Sequence, residues 1–244
     1  MVQRRGSAMG RVSAGLGVVT AIVMAAALYM MFIYAPTDAV QGQPQRIFYI
    51  HVPIATIAFL SSFVLAVGGI GYLVRRSQRW DRLARASAEI GLIFTTLVLL
   101  TGSLWGRPIW GTWWTWDARL TTTLILWFIY LGYFMLRAYA GDADRAARYS
   151  AVLGIIGAID VPIIYLSVDW WRTLHPGPVL FTSGGPAMPG SMFVTFMVSL
   201  LAFTLLYVWL MYQKYMIESV KDRVAERQFQ LAERQAEIRE GMAL

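Results

Sequence analysis

The chain has 244 residues, 57% of them hydrophobic and only 14% charged, with a mean hydropathy of +0.53. That much apolar surface excludes an ordinary water-soluble domain and places the chain in a bilayer. The net charge is +7 and there is no cysteine, which excludes an iron–sulfur cluster, a thiolate-ligated metal centre and disulfide exchange. No Walker or Rossmann glycine fingerprint is present for ATP or a dinucleotide.

A transmembrane helix needs roughly 20 mostly apolar residues to cross about 30 Å of hydrocarbon. Six segments meet this demand, near 14–35, 52–74, 88–104, 120–139, 150–168 and 191–212, so the predicted fold is an all-α polytopic membrane protein. The first follows a basic start, but its run from Val12 to Ala35 is about twice a signal core of roughly 7 to 15 residues, which predicts an uncleaved anchor. The second opens on FYIHVP, with His51, and carries VGGIGY at 67–72, where small residues serve helix packing. The third is marginal because Glu89 opens it. The fifth is marginal because Asp160, beside Pro162, lies inside it. An outer loop containing DWWRTLHPGP, with His175, leads to the sixth.

Basic residues mark cytoplasmic loops. With both termini inside, 17 Lys and Arg fall on the inner side, and only Arg46, Arg107, Arg119 and Arg172 fall outside. The excess charge is therefore loop charge beside anionic lipid, and no compact basic patch suits nucleic acid. Residues 1–212 are read as one integral membrane domain and 213–244 as a charged cytoplasmic helical tail. In that tail six basic and six acidic residues alternate, and Ile217, Val220, Val224, Leu231 and Ile238 form one thin apolar seam. A solvated helix continuing from the sixth span accounts for it without a specific docking role.

Between the third and fourth spans, residues 105–119 read WGRPIWGTWWTWDAR, with five tryptophans in twelve positions. An interfacial aromatic belt explains one or two indoles, and Trp170 and Trp171 besides; five together suit a platform for a large planar ligand. Gly106, Pro108 and Gly111 are predicted to stop regular helix across 106–111, with helix resuming near Thr112. Asp117 braces the loop by hydrogen bonds or pairs with Arg119.

The chain's two histidines, His51 and His175, both fall on the outer side with this loop. Imidazole is a common ligand of haem iron, and two imidazoles from separate segments would bind opposite faces of one ring. A porphyrin stacks on indoles such as Trp105, Trp110, Trp113, Trp114 and Trp116. Its propionates match guanidinium, so Arg46, Arg107, Arg119 and Arg172 are candidate contacts. Without cysteine no haem is attached through thioether bonds. Met188 and Met192 lie near the outer loop and are read as apolar packing. Asp160 is a candidate functional residue because it is an acid inside a span; it binds a partner helix, lines a cavity or relays protons, or else bonds locally to hydroxyls or amides. A cytochrome b-like carrier would need histidines within spans. A transporter for another amphipathic ligand stays open on the aromatic loop and Asp160, yet leaves the paired histidines unexplained.

YIHVP around His51, WGRPIWGTWWTWDARLT at 105–121 and WWRTLHPGP around His175 closely resemble the tryptophan-rich WWD signature of haem-handling proteins. The match is to the C subunit of the system I cytochrome c maturation machinery, the haem exporter protein C family, over nearly all of residues 40–212. Two positions depart from the pattern: Ile109 replaces a methionine, and Pro176 follows the second histidine in place of a polar residue. The resemblance implies a non-enzymatic protein of the bacterial inner membrane. It implies that His51 and His175 are axial ligands, that the WWD loop with Asp117 is the platform, and that haem b is held as transient cargo on the periplasmic face. It further implies delivery to a membrane-anchored haem chaperone (CcmE-type), with an ATP-binding cassette pair (CcmA- and CcmB-type) and a small single-span subunit (CcmD-type) as partners.

Overall fold

The computed structural model describes residues 2–171, 173–177 and 188–243, the side chains at 2–8, 240, 241 and 243 excepted. Six long helices make the fold: α1 (Val2–Tyr29), α2 (Phe48–Arg75), α3 (Gln78–Trp110), α4 (Ala118–Tyr139), α5 (Ala143–Trp170) and α6 (Gly190–Ala243). All six are long and apolar enough to cross a membrane, the third and fifth included. Among the described residues there is no strand, only an isolated bridge between Asp38 and Gly42. The α1 helix loosens into a π turn over Met30–Tyr34, and a 3₁₀ turn over Gln43–Ile47 leads into α2.

Local chemistry sets the boundaries. Asp117 and Asp142 cap α4 and α5 by accepting the backbone N–H of Leu120 (2.9 Å) and Arg145 (2.8 Å). The α2 helix ends where Arg76 enters the left-handed region at φ 51° and its N–H bonds the Tyr72 carbonyl. Only Ser77 and Arg76 then separate α2 from α3, so most of the basic segment 75–85 is helix rather than loop.

The expected break at 106–111 is displaced. Helix α3 runs through Gly106 and Pro108 to Trp110, and the chain leaves helical geometry from Gly111 to Asp117 before α4 begins at Ala118. Pro108 lies in the last turn, where it removes one N–H but leaves the helix-compatible φ of proline intact. The helix stops instead at Gly111, whose φ of 76° places it in the left-handed region while its N–H caps the Arg107 carbonyl at 3.1 Å.

Helix α2 is the centre of the bundle and packs on α3, α5 and α6; α4 completes the layer beside α5, and α1 lies outermost against α6. Helices in lipid associate through close packing rather than a hydrophobic drive, and glycines permit the approach. A Cβ on Gly68 would meet the Ala84 backbone at 2.8 Å, and one on Gly154 would meet Leu65 at 2.8 Å. The VGGIGY segment therefore does the packing its composition indicates. The core comprises Leu65, Tyr130, Tyr133 and Ile164 between α2, α4 and α5, and Ile54, Ile57, Phe94 and Tyr207 between α2, α3 and α6.

The bundle end opposite the tryptophan loop is tied by charge. Arg137 forks onto Asp81 with bonds of 2.7 and 2.9 Å and also donates to Ser150. Arg85 reaches Asp81 (3.3 Å), Glu218 (3.2 Å) and Asp222 (2.6 Å), while Lys214 pairs with Glu89 and Glu218. These contacts join α3, α4, α5 and the first three turns of the 213–244 segment. That segment continues α6 without a break, and its seam residues Val224, Leu231 and Ile238 are exposed.

A candidate two-histidine site beside the tryptophan loop

His51 lies one turn inside α2, and the sequence folds so that α3 runs directly behind it. Its Nδ1 is 2.9 Å from the Thr101 hydroxyl. The ring rests on Gly102, where an added Cβ would come within 3.2 Å of Cε1. Trp105, one turn on from Thr101, meets the imidazole edge to face with centroids 5.7 Å apart, and its indole N–H donates to Gln41 at 3.1 Å.

His175 arrives from the segment after α5. Its Nδ1 is 3.1 Å from Asp117 Oδ2, which also accepts the Thr173 hydroxyl at 3.0 Å. The His175 backbone N–H in turn bonds Thr173 Oγ1 at 3.1 Å. Asp117 thus caps α4 with one oxygen and holds the histidine segment with the other. Burial works to raise its carboxyl, but the bonds from Leu120, His175 and Thr173 prevail and hold it below its ordinary value. Burial lowers the His175 imidazole and outweighs the neighbouring Asp117 charge, which works to raise it. Trp110 packs edge to face on His175 with centroids 4.8 Å apart.

The two imidazoles line one cavity together with Gln41, Gly102, Trp105, Trp110 and Pro176. Its volume is about 60 Å³, well below the roughly 300 Å³ at which pockets for drug-sized ligands begin. A wider groove of about 730 Å³ lies between α1 and α6, lined by Gly10, Ser13, Gly17, Trp209 and Tyr212 among others. It offers no imidazole or carboxylate and stands apart from this chemistry.

The structure divides the expected platform. Trp105 and Trp110 face the cavity, whereas Trp113 and Trp116 are exposed and Trp114 packs edge to face on Trp116. Of the arginines, Arg46 donates to the Met31 carbonyl and Gln43, Arg107 to the Gly111 carbonyl, and Arg119 to the Tyr165 carbonyl. Asp117 therefore braces the loop by hydrogen bonds rather than by an Arg119 ion pair. Arg172 lies outside the described residues. Asp160 is buried in α5, and its Oδ2 has no hydrogen-bond partner among the described residues. Met192 is packed beside Phe48 and Phe196, with Met188 against the same cluster, as their apolar reading requires.

Thr101, Gly102, Gln41 and Thr173 escaped the sequence reading. A signal existed for two of them: Thr101 precedes Trp105 by four residues and Gly102 precedes Gly106 by four, so each pair shares a face of α3. Gln41 and Thr173 meet the site only through tertiary contact.

Among the described residues no cluster of three or more His, Cys, Asp or Glu is available for a bare metal ion. Two imidazoles, each with one ring nitrogen already partnered, instead suit a metal that brings its other ligands with it, as haem iron does. A six-helix membrane bundle with two such imidazoles in one aromatic cleft defines the class: a polytopic membrane protein. A family model described as "Heme exporter protein C" matches residues 3–230. A "Heme exporter protein C" of Bradyrhizobium diazoefficiens is 44% identical over 226 residues, covering 93% of this chain and 86% of that protein. One from Haemophilus influenzae is 35% identical over 213 residues, 87% of each chain. A "Putative cytochrome c biosynthesis ccmC-like mitochondrial protein" of Marchantia polymorpha is 40% identical over 151 residues, 62% of this chain and 64% of that one. The chain belongs to the heme exporter protein C family, whose members are haem-handling membrane components of cytochrome c biogenesis and not enzymes.

Proposed function

We propose that this chain binds haem b at the outer, periplasmic face of the bacterial inner membrane, with His51 and His175 as axial ligands, and delivers it to a membrane-anchored haem chaperone. One observation carries the reading: the only two histidines of the chain, 124 positions apart in sequence, line a single aromatic cavity. Each has its Nδ1 engaged by a neighbouring side chain, which leaves Nε2 as the nitrogen available to iron. Trp105 and Trp110 supply aromatic edges and faces for the ring, in contacts worth about 0.5 to 1.5 kcal/mol each beyond burial. The exposed Trp113 and Trp116 extend that surface toward a recipient.

Haem does not fit the cavity at its present size, so binding requires the His175 segment and the end of α3 to part. Of the contacts described, the Trp110 packing on His175 opposes this, whereas the Asp117 bonds hold His175 to the start of α4 and stay in place. The family resemblance supports an ATP-binding cassette pair and a small single-span subunit as partners, with both termini of this chain cytoplasmic. The 17 to 4 distribution of basic residues supports the same sidedness.

The absorption spectrum of the purified, haem-loaded protein tests the site. The parent should give a low-spin six-coordinate spectrum, and His51→Ala and His175→Ala should each lose haem or turn high-spin. A parent without haem, or variants that match it, would shift the reading to a transporter of another amphipathic ligand. Sidedness is open to labelling because the chain has no cysteine. Val40→Cys, at a fully exposed position on the site side, should react with an impermeant maleimide on intact cells, and Arg227→Cys only after lysis.

A further inference from the structure

The two imidazoles are held alike at Nδ1 but by unlike partners. Thr101 Oγ1 has one proton, and it is directed to the Leu97 carbonyl at 2.7 Å. The oxygen that faces His51 Nδ1 at 2.9 Å is therefore an acceptor, and the ring must be the donor. Turning the ring to the other tautomer would set two lone pairs against each other at that distance, or pull the hydroxyl away from Leu97. Gly102 beneath the ring and Trp105 against its edge restrict the rotation that would relieve the clash. At the other side a carboxylate accepts from His175 Nδ1, and a carboxylate can only accept. A charged acceptor makes a hydrogen bond roughly twice as strong as a neutral one. It also raises the basicity of the ligating nitrogen across the ring.

We infer that Thr101 is a positioning residue that fixes His51 as the Nδ1–H tautomer, and that its neutral hydroxyl, set against the Asp117 carboxylate, makes His51 the exchangeable ligand and His175 the retained one. The tautomer assignment stands on the haem-free geometry alone; the order of exchange rests on the haem reading proposed above. The consequence for delivery is directional. A recipient's ligand replaces His51 on the α2 side of the cleft, while His175, tied through Asp117 to the start of α4 and through Thr173 to its own segment, keeps hold of the iron until the exchange is made.

Two measurements test the two parts separately. With only two histidines in the chain, imidazole ¹⁵N labelling of the haem-free protein gives two resolvable rings. Both should show a protonated Nδ1 and a bare Nε2; Thr101→Val should convert His51 to a tautomer mixture, and Thr101→Ser should restore the parent pattern. An Nε2–H tautomer at His51 in the parent, or a His51 signal indifferent to Thr101→Val, overturns the assignment whatever haem does. A Thr101→Val chain that fails to fold leaves the parent spectrum and the Thr101→Ser variant to decide.

For the exchange order, carbon monoxide is added to the ferrous haem-loaded protein and the C–O stretch recorded. If His51 leaves, the retained trans ligand is His175, so Asp117→Asn should shift the stretch and Thr101→Val should not. Thr101→Val should also lower about tenfold the imidazole concentration that displaces the native ligand. A stretch that answers to Thr101→Val and ignores Asp117→Asn reverses the order and overturns this part. A parent that carries no low-spin haem removes the haem reading itself and with it the exchange order, while the tautomer result stands.

Discussion

The two ends of the bundle use polar side chains in opposite ways. At the tail end, Asp81 and Glu218 are buried, and each carboxylate is surrounded by cations: Arg85 and Arg137 on Asp81, and Arg85, Lys214 and Lys221 on Glu218. These groups complete one another, and the network ties four helices together. At the tryptophan end, Asp117, Thr101 and Thr173 bond to the histidines and leave one ring nitrogen of each uncommitted. A closed network contributes to the fold; an arrangement that orients lone pairs without using them prepares a site for something else. The contrast teaches where to look for function in an apolar bundle: in the polar groups that remain unfinished after the local bonds are counted.

This contrast can be broken from either end. Arg85→Met should have the largest effect on stability. It leaves Asp81 with Arg137 alone and removes one cation from Glu218, and breaking a buried ion pair from one side costs about 3–5 kcal/mol. Thermal unfolding in detergent should show the loss, while haem binding by the surviving folded protein stays at the parental level. A simultaneous loss of haem binding would mean that the two ends are coupled rather than separate.

Gly102→Val should act the other way round. Even its Cβ would stand 3.2 Å from His51 Cε1, so the ring must move. Haem affinity should fall about tenfold, about 1.4 kcal/mol, as read by titration, with an unfolding midpoint close to the parent's. Asp117 separates capping from ligand support. Asp117→Ala removes the cap on Leu120 and should cost about 1 kcal/mol, whereas Asp117→Asn retains a competent cap and should cost less. Amide exchange at the start of α4 measures that difference. The smallest effect belongs to the tail seam: Leu231→Asp, at an exposed position on α6, should change stability by no more than about 0.5 kcal/mol and leave the haem spectrum unchanged.

Much of the architecture was legible in advance because a bilayer imposes a length and a polarity on each segment. All six expected spans are helices, and even the marginal third and fifth hold, since Glu89 is neutralised by Lys214 and Asp160 sits inside the α5 packing. The fidelity ended at boundaries. Proline and glycine at 106–108 looked like a break, but α3 runs through both to Trp110, with Pro108 forgoing one backbone N–H; Gly111, with its positive φ, was the true stop. The tryptophan loop shows the same limit. Five indoles in twelve positions read as one surface, whereas the helix end and the loop turn Trp105 and Trp110 to the cavity and leave Trp113 and Trp116 exposed.

By itself the sequence determined the membrane class, the count of helices, the paired histidines and the tryptophan signature, because hydropathy, residue type and motif spacing are local and survive without coordinates. Only the tertiary structure decided which groups meet: that α3 brings Thr101 and Gly102 against His51, and that Asp117 joins the start of α4 to His175 across 58 positions of chain. It also decided that Arg85 gathers three carboxylates from two helices. Such contacts depend on helix rotation and depth, which close packing around the small residues of α2 and α5 sets and which no periodicity along one segment encodes.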